Sequence, residues 1–172
     1  MNIYMTTGTP DFMETIKNKH ASSGMIQMYG EGTSLLLHET DGKTLFQTPR
    51  PYEVIDSVGN LDPQGYFVLN NFPVTDEGKP LFEHRFQTSF MSIENEPGFI
   101  ALRVLRPLES DTYIILTEWA DNTFYSLWKN SPSYAETHME TTAKAVVDNT
   151  THIFSSAAYT ATYWTKNDET NV

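Results

Sequence analysis

The sequence of 172 residues contains no cysteine. Disulfides, zinc–thiolate sites, iron–sulfur clusters and a catalytic thiol are therefore excluded. Basic residues are scarce, with 11 Lys and Arg against 22 Asp and Glu and a formal net charge of -11. So acidic a chain is repelled by phosphate backbones, and it has no Lys/Arg run or basic amphipathic stretch. The sequence therefore predicts neither nucleic acid nor a membrane surface as a partner.

Long apolar runs are also missing, and no stretch approaches the length of a membrane span. The segment Met1–Gly8 lacks a basic region followed by an apolar core, so we expect no signal peptide and a cytoplasmic protein. No GxGxxG, P-loop or GxSxG motif is present, which leaves no flavin or nicotinamide site and no hydrolase elbow to predict. The histidines do not form HxH or HExxH, so nothing local indicates a non-heme metal site.

Aromatic residues are plentiful, at 13% of the chain, and apolar residues make up 39%. Such a chain can bury a sizeable core. In the first part, periodicity and turn residues predict strands, a helix capped by Thr9 and a second helix; the strands are Asn2–Thr7, Met25–Tyr29 and Ser34–His38, and the second helix is Pro51–Val58.

The remainder predicts the element order β-α-β-β-α-β. The predicted strands are Tyr66–Val74, Phe99–Leu108, Thr112–Trp119 and Ala157–Thr165; the helices are Asp76–Met91, Asn122–Lys129 and Ser133–Met139; and Thr141–Ser156 is a loop. This is the order of the ferredoxin-like unit, and the first part repeats it in truncated form. We therefore predict an α+β fold with two ferredoxin-like halves, 1–62 and 63–166, followed by a flexible tail, 167–172.

Among the five histidines, His138 differs by its context. It lies ten residues after Trp128, on the helical piece that restarts beyond Pro132. A break between two helical pieces lets them meet at an angle and form a pocket wall. Taken alone, such a histidine is more often structural than functional. The other four, His20, His38, His84 and His152, have ordinary polar or charged neighbours and are interpreted as structural or surface groups.

Asn70 and Asn71 are the second unusual feature, because both lie in the middle of an apolar predicted strand. A buried amide without partners costs about 1–3 kcal/mol, so a mid-strand Asn needs a structural or a ligand partner. Side chains alternate along a strand, and only one of the two amides faces a given side. The pattern does not decide which one faces a pocket, nor whether the role is structural.

These features together resemble the Isd-type and HmoB-type heme-degrading monooxygenases, which have an antibiotic biosynthesis monooxygenase-like domain. The resemblance covers nearly the whole chain and is carried by a strand ending in Thr-x-Trp, a helix with a Trp, and a His ten residues later; the similar stretches are 40–59, 65–86, 94–121, 124–128 and 131–138. Pro132 departs from the acidic residue usual in the short members. The resemblance implies two halves that form one pseudo-dimeric β-barrel of the dimeric α/β-barrel superfamily, and so a monomer.

The resemblance also implies site residues, cofactor and partners. His138 would be the axial ligand of heme iron, Trp128 would pack against and distort the macrocycle, and Asn70, with Asn71 as the near alternative, would donate hydrogen bonds on the open side where dioxygen binds. Heme would be both cofactor and substrate, with iron released as the ring opens. Electrons would come from an external reductase or small reductant.

Two other functions fit the same sequence. The two-part architecture also resembles TRAP-like signalling proteins, which would make this a regulatory protein without enzymatic activity. A heme-independent monooxygenase of small aromatic molecules is the second alternative, although it gives His138 no specific role. The presence of Asn70, Trp128 and His138 together favours the heme-degrading enzyme.

Overall fold

The computed structural model describes residues 1–87, 89–90, 92–145 and 153–165. Within those ranges the chain forms eight strands and five helices. The strands are β1 Asn2–Gly8, β2 Ile26–Tyr29, β3 Ser34–Thr40, β4 Arg50–Gly59, β5 Tyr66–Pro73, β6 Phe99–Pro107, β7 Thr112–Trp119 and β8 Tyr159–Trp164. The helices are α1 Pro10–Lys19, α2 Lys79–Phe86, α3 Asn122–Lys129, α4 Pro132–Glu136 and α5 Met139–Ala145. None of the described helices is long and apolar enough to cross a membrane.

The strands form one closed barrel in the order β1-β3-β2-β8-β5-β7-β6-β4. All of its strand pairs are antiparallel. Each half supplies four neighbouring strands. In both halves their spatial order is fourth, first, third and second, that is β4-β1-β3-β2 and β8-β5-β7-β6. The repeated order confirms the predicted α+β fold of two ferredoxin-like halves in a pseudo-dimeric barrel.

The side chains pack in two main cores on opposite sides of the barrel wall. The inner core fills the barrel and includes Met5, Leu37, Phe67, Leu105 and Leu116. The outer core lies between the C-terminal strands and their helices, and its members include the largest aromatic side chains; among them are Phe72, Phe82, Tyr113, Trp119 and Trp128. A cavity beside Asn70 in β5 opens on this helix-covered face.

Two helix starts follow directly from the sequence. Thr9 caps α1 because its hydroxyl oxygen accepts from the Phe12 amide at 3.3 Å, and Pro10 suits the first turn. Asp121 caps α3 in the same way, accepting from the amides of Thr123 at 2.8 Å and Phe124 at 3.3 Å. The C-terminal half therefore places Trp128 on a helix whose start is determined locally.

The predicted helix Pro51–Val58 is wrong, because this segment is strand β4. It pairs with β1 on one edge and with β6 on the other, so its backbone groups are satisfied without a helix. The register with β6 shifts between Val54 and Asp56, which makes Ile55 the extra residue of a bulge. The shift moves the apolar positions off strict alternation and gives them the spacing of a helix.

The other corrections concern the second half. Helix α2 spans Lys79–Phe86 and is shorter than the predicted Asp76–Met91, since residues 76–78 form a turn. The predicted helix Ser133–Met139 is interrupted after Glu136. Helix α5 begins at Met139 and extends to Ala145, into the segment predicted as a loop, Thr141–Ser156. The predicted tail, 167–172, and His152 lie outside the described residues.

Candidate functional site

A cavity of about 450 Å³ lies between strands β5 and β8 and the helices α3, α4 and α5. Its walls combine three amides, three phenols, two lysines, one carboxylate, one hydroxyl and apolar side chains. The lining residues are Asn70, Asn71, Phe72, Tyr125, Lys129, Asn130, Tyr134, Met139, Glu140, Ala143, Lys144, Ala158, Tyr159 and Thr160. A concave space that combines aromatic and apolar walls with polar groups can serve as a small-molecule site.

Asn70 supplies the most informative polar group of this cavity. Its side chain is 8% exposed and lies on the helix-covered face of β5, together with Val68 and Phe72. The Oδ1 atom accepts a hydrogen bond from Thr160 Oγ1 at 2.9 Å, which orients the amide. The Nδ2 atom is buried and has no hydrogen-bond partner within the described part of the chain. An unpaired buried donor on a cavity wall is a group that a ligand can satisfy.

Asn71 also borders the cavity, but its amide donor is already engaged. Its Nδ2 atom donates to the carbonyl oxygen of Leu69 in the same strand at 3.1 Å. Leu69 belongs to the core inside the barrel, on the opposite face from Asn70. Of the two amides that the sequence could not separate, Asn70 is therefore the one with a free buried donor.

Trp128 lies one layer behind the cavity. It is 2% exposed, and its ring stands 5.2 Å from that of Trp119 and 4.9 Å from that of Tyr134, centroid to centroid. The cavity wall itself is formed by Tyr125 and Tyr134, which pack against Trp128. Trp128 therefore supports the aromatic wall and does not line the cavity.

The two phenols remain protonated at neutral pH. Burial raises the pKa of Tyr125, and the neighbouring Tyr134 and Tyr66 add to the shift. Burial also raises the pKa of Tyr134, with a further contribution from the charge of Glu140. Both hydroxyl groups are thus neutral hydrogen-bond donors as well as parts of an apolar wall.

His138 lies in the junction between α4 and α5, and not within a helix as predicted. Its backbone has a φ of 63°, and it is the one non-glycine residue with a positive φ in the described ranges. Its carbonyl oxygen accepts from the Thr142 amide at 2.9 Å and so starts α5. The imidazole is exposed to solvent, whereas the adjacent Thr137 and Met139 are buried. The structure thus places His138 next to the cavity wall at Met139 but outside the lining.

Two lysines give the cavity a positive side. Lys129 follows Trp128 at the end of α3, and Lys144 in α5 forms an ion pair with Glu140 at 2.9 Å. The sequence analysis missed both lysines, as well as Tyr125 and Tyr134. The spacing of Tyr125, Trp128 and Lys129 within one short helix was the signal for a shared surface. The site can hold a flat or apolar ligand that carries a hydrogen-bond acceptor and negative charge.

The chain forms a two-half ferredoxin-like barrel with a cavity under the helices of its C-terminal half. Residues 65–140 match the family described as antibiotic biosynthesis monooxygenase. The match covers β5 to the start of α5, and so includes Asn70, Trp128 and His138. The predicted resemblance to proteins with this monooxygenase-like domain is confirmed.

Particular relatives cover most of the chain. The signal transduction protein TRAP of Staphylococcus epidermidis is 29% identical over 136 residues, which are 79% of this chain and 81% of the relative. The solved structure of a major regulator of staphylococcal pathogenesis has a TM-score of 0.85 and 25% identity, with 97% and 100% of the two chains covered. A heme-degrading enzyme from Listeria monocytogenes shares the fold, with a TM-score of 0.73, 21% identity and coverage of 95% and 99%.

Proposed function

We propose that this protein is a heme-degrading monooxygenase that binds heme in the cavity beside Asn70. The observation that carries the proposal is the buried, unpaired Nδ2 atom of Asn70 on the cavity wall. In the apolar face of β5, this donor costs free energy unless a ligand accepts from it. The match to the antibiotic biosynthesis monooxygenase family over residues 65–140 supports an oxygen-dependent reaction at the same place.

The residues around the cavity fit heme in three respects. Tyr125 and Tyr134 offer an aromatic wall to a flat apolar ring. Lys129 and Lys144 offer positive charge to the two carboxylates that heme carries. His138 offers an imidazole whose ring has no hydrogen bond among the described residues, one position before the lining residue Met139.

Each predicted site residue then has a physical role in the proposal. Heme, when bound, supplies the chemistry that activates dioxygen. His138 would hold the iron through a ring nitrogen, and Asn70 would donate a hydrogen bond from Nδ2 into the cavity. Trp128 would act through Tyr125 and Tyr134, because its bulk fixes the wall on which the ring lies.

The left-handed backbone at His138 is consistent with a role in binding. A non-glycine residue in this conformation costs about 1–2 kcal/mol, and such strain tends to be retained at functional sites. Electrons would come from an external reductase or small reductant, because the sequence has no flavin or nicotinamide motif. One chain closes the barrel by itself, which supports a monomeric enzyme.

Hemin titration of the purified protein, followed by ascorbate, tests the proposal. We expect a saturable Soret band that decays in the presence of ascorbate as iron is released to a chelator. His138→Asn should change the spectrum or abolish binding, and asparagine is suited to the left-handed backbone at this position. His84→Asn is the matched control, because His84 is also exposed and borders a different cavity. Absence of saturable binding, or an unchanged spectrum in His138→Asn, would contradict the proposal.

Asn70 and Asn71 provide a second matched pair. Asn70→Ala should retain heme binding and lose most turnover, because it removes the free donor without opening the apolar wall. Asn71→Ala should keep more activity, since its amide is bound to Leu69. The opposite order of the two variants would transfer the proposed role from Asn70 to Asn71.

A signalling function is the second candidate, and two observations favour it. The relatives that match most of the chain include one named signal transduction protein TRAP. The imidazole of His138 faces solvent, where it is accessible to another protein. This candidate predicts no saturable heme binding, so the same titration separates the two functions.

A further inference from the structure

A second cavity, of about 780 Å³, lies between helix α2 and strands β4 and β6. It is separate from the cavity beside Asn70, with which it shares no lining residue. Ile55 and Val58 of the N-terminal half form one wall, and Phe86 and Val104 of the C-terminal half form another. Its volume lies within the range of roughly 300–1,000 Å³ that is usual for small-molecule sites.

The incomplete N-terminal half explains why this cavity exists. Between β3 and β4, residues 41–49 form no helix, whereas the C-terminal half has α3, α4 and α5 at the equivalent place. The outer face of β4 is therefore not covered by its own half. Ile55 and Val58 pack, only partly buried, against the outer core of the C-terminal half.

The bulge in β4 directs two consecutive residues into this space. Ile55 is the extra residue of the bulge, and both Ile55 and Asp56 line the cavity. Bulges commonly aim a side chain towards a functional site. Asp56 forms no ion pair within the described part of the chain, and its Oδ1 atom accepts only the neighbouring Ser57 amide there, at 2.9 Å.

The remaining charges make the cavity acidic. The lining carries the carboxylates of Asp56 and Glu83 against one guanidinium, that of Arg106, which forms ion pairs with Glu83 and, at 2.8 Å, with Glu53 outside the lining. Tyr113 donates to Glu83 at 2.5 Å, and burial together with this bond raises the pKa of the phenol, which stays neutral.

We propose that this second cavity binds a small apolar organic cation, such as an amine-bearing aromatic or aliphatic amphiphile. The apolar part would lie on Ile55, Val58 and Phe86, and the positive charge would face Asp56, since Glu83 is bound to Arg106 and Tyr113. The cavity beside Asn70 has the opposite excess of charge, because Lys129 and Lys144 line it against the one carboxylate of Glu140. The proposal is independent of heme degradation, since it concerns other residues and a ligand of opposite charge.

Fluorescence titration of the full chain with two aromatic dyes tests this proposal. Thioflavin T is cationic and 1-anilinonaphthalene-8-sulfonate is anionic. We expect saturable binding of one thioflavin T, which the anionic dye does not displace. Asp56→Lys should weaken thioflavin T binding about tenfold or more. Asp11→Lys makes the same charge change on exposed α1 and should alter the affinity by no more than about twofold.

Two filling variants locate the dye. Ile55→Trp should abolish thioflavin T binding, whereas Ala143→Trp, in the cavity beside Asn70, should leave it unchanged. Thermal unfolding of each variant shows whether it is folded. If Ile55→Trp does not fold, the test depends on Asp56→Lys, whose side chain is partly exposed. The proposal is overturned by absence of saturable thioflavin T binding, by equal losses in Asp56→Lys and Asp11→Lys, or by a loss confined to Ala143→Trp.

Discussion

Arg103 of the C-terminal half and Glu39 of the N-terminal half form an ion pair inside the barrel, with 2.6 Å between Nε and Oε2. The Arg103 side chain is 5% exposed and that of Glu39 is 21% exposed. The guanidinium also donates to the carbonyl oxygens of Gly59 at 2.9 Å and Leu102 at 2.8 Å. One buried cation thus connects strand β3, strand β6 and the end of β4, and so joins the two halves.

Removal of the carboxylate should be costly because it leaves the guanidinium buried and unpaired. We expect Glu39→Gln to lower the free energy of unfolding by about 3 kcal/mol, as is usual for a broken buried pair. Urea denaturation at neutral pH measures the loss. The double variant Glu39→Leu/Arg103→Leu should lose less than the sum of the two single variants, because neither charge is left without a partner. Simple additivity would show that the pair does not couple the halves.

Glu118 is a further ionisable group inside the barrel, and it makes the stability of the protein depend on pH. It is fully buried, its Oε2 atom accepts from the Asp62 amide at 2.9 Å, and its Oε1 atom has no partner among the described residues. Burial raises the pKa of Glu118 from 4.5 to about 8; the charge of Asp62 adds to the shift, while the Asp62 amide and Arg103 oppose it. Between pH 4.5 and about pH 8, Glu118 therefore keeps a proton in the folded protein that it releases in the unfolded chain.

Stability should fall as the pH rises from about 4.5 towards about 8, and this group should cause no further loss above that range. Glu118→Gln imitates the protonated form. We expect it to match the wild type at pH 5 and to exceed it in thermal midpoint at pH 9. Glu136→Gln changes an exposed carboxylate and should show the same dependence of the thermal midpoint on pH as the wild type. An equal pH slope in Glu118→Gln would mean that Glu118 is not the group responsible.

Elements with local signals could be predicted from the sequence. The predicted bounds of helix α3 agree with those observed, and in the structure Asp121 caps its start. Strands β6 and β7 are continuous apolar runs between turns, and their ends were predicted within one residue. Strand β4 was not predicted, because its bulge at Ile55 imitates a helical pattern and its partners, β1 and β6, are distant in the chain.

Of the three site residues that the sequence predicts, Asn70 lines the cavity, whereas Trp128 and His138 lie outside its lining. The separation of Asn70 from Asn71 depends on which face of β5 the helices cover, and this follows from barrel closure. Trp128 lies behind Tyr134 because the chain turns at Pro132, and no local pattern indicates that layer. The exposure of His138 depends on the burial of its neighbours, Thr137 and Met139, in the outer layer.

Gly59 ends β4 at a position that no other residue can occupy without a shift of the backbone. Its φ is 70°, and an added Cβ atom would lie 2.3 Å from the Ile100 carbonyl oxygen. Gly32 has a similar φ of 75° but open space around it. We expect Gly32→Ala to cost about 1 kcal/mol, from the left-handed backbone alone, and Gly59→Ala to cost about 3 kcal/mol. Similar losses in chemical denaturation of the two variants would contradict the close approach of β4 and β6.

Thr160 orients the free donor of Asn70, since its hydroxyl donates to Oδ1 at 2.9 Å and leaves Nδ2 on the cavity side. Thr160→Val removes this bond with little change in shape, so the amide can flip. Under the proposed heme-degrading function, we expect unchanged hemin affinity and a decay rate about tenfold lower, as for a lost positioning contact. Thr160→Ser should restore the rate because the donor returns. Thr162→Val, two residues along the same strand, is the control and should behave as wild type. A lower hemin affinity with an unchanged decay rate would instead indicate that Thr160 shapes the cavity and does not orient Asn70.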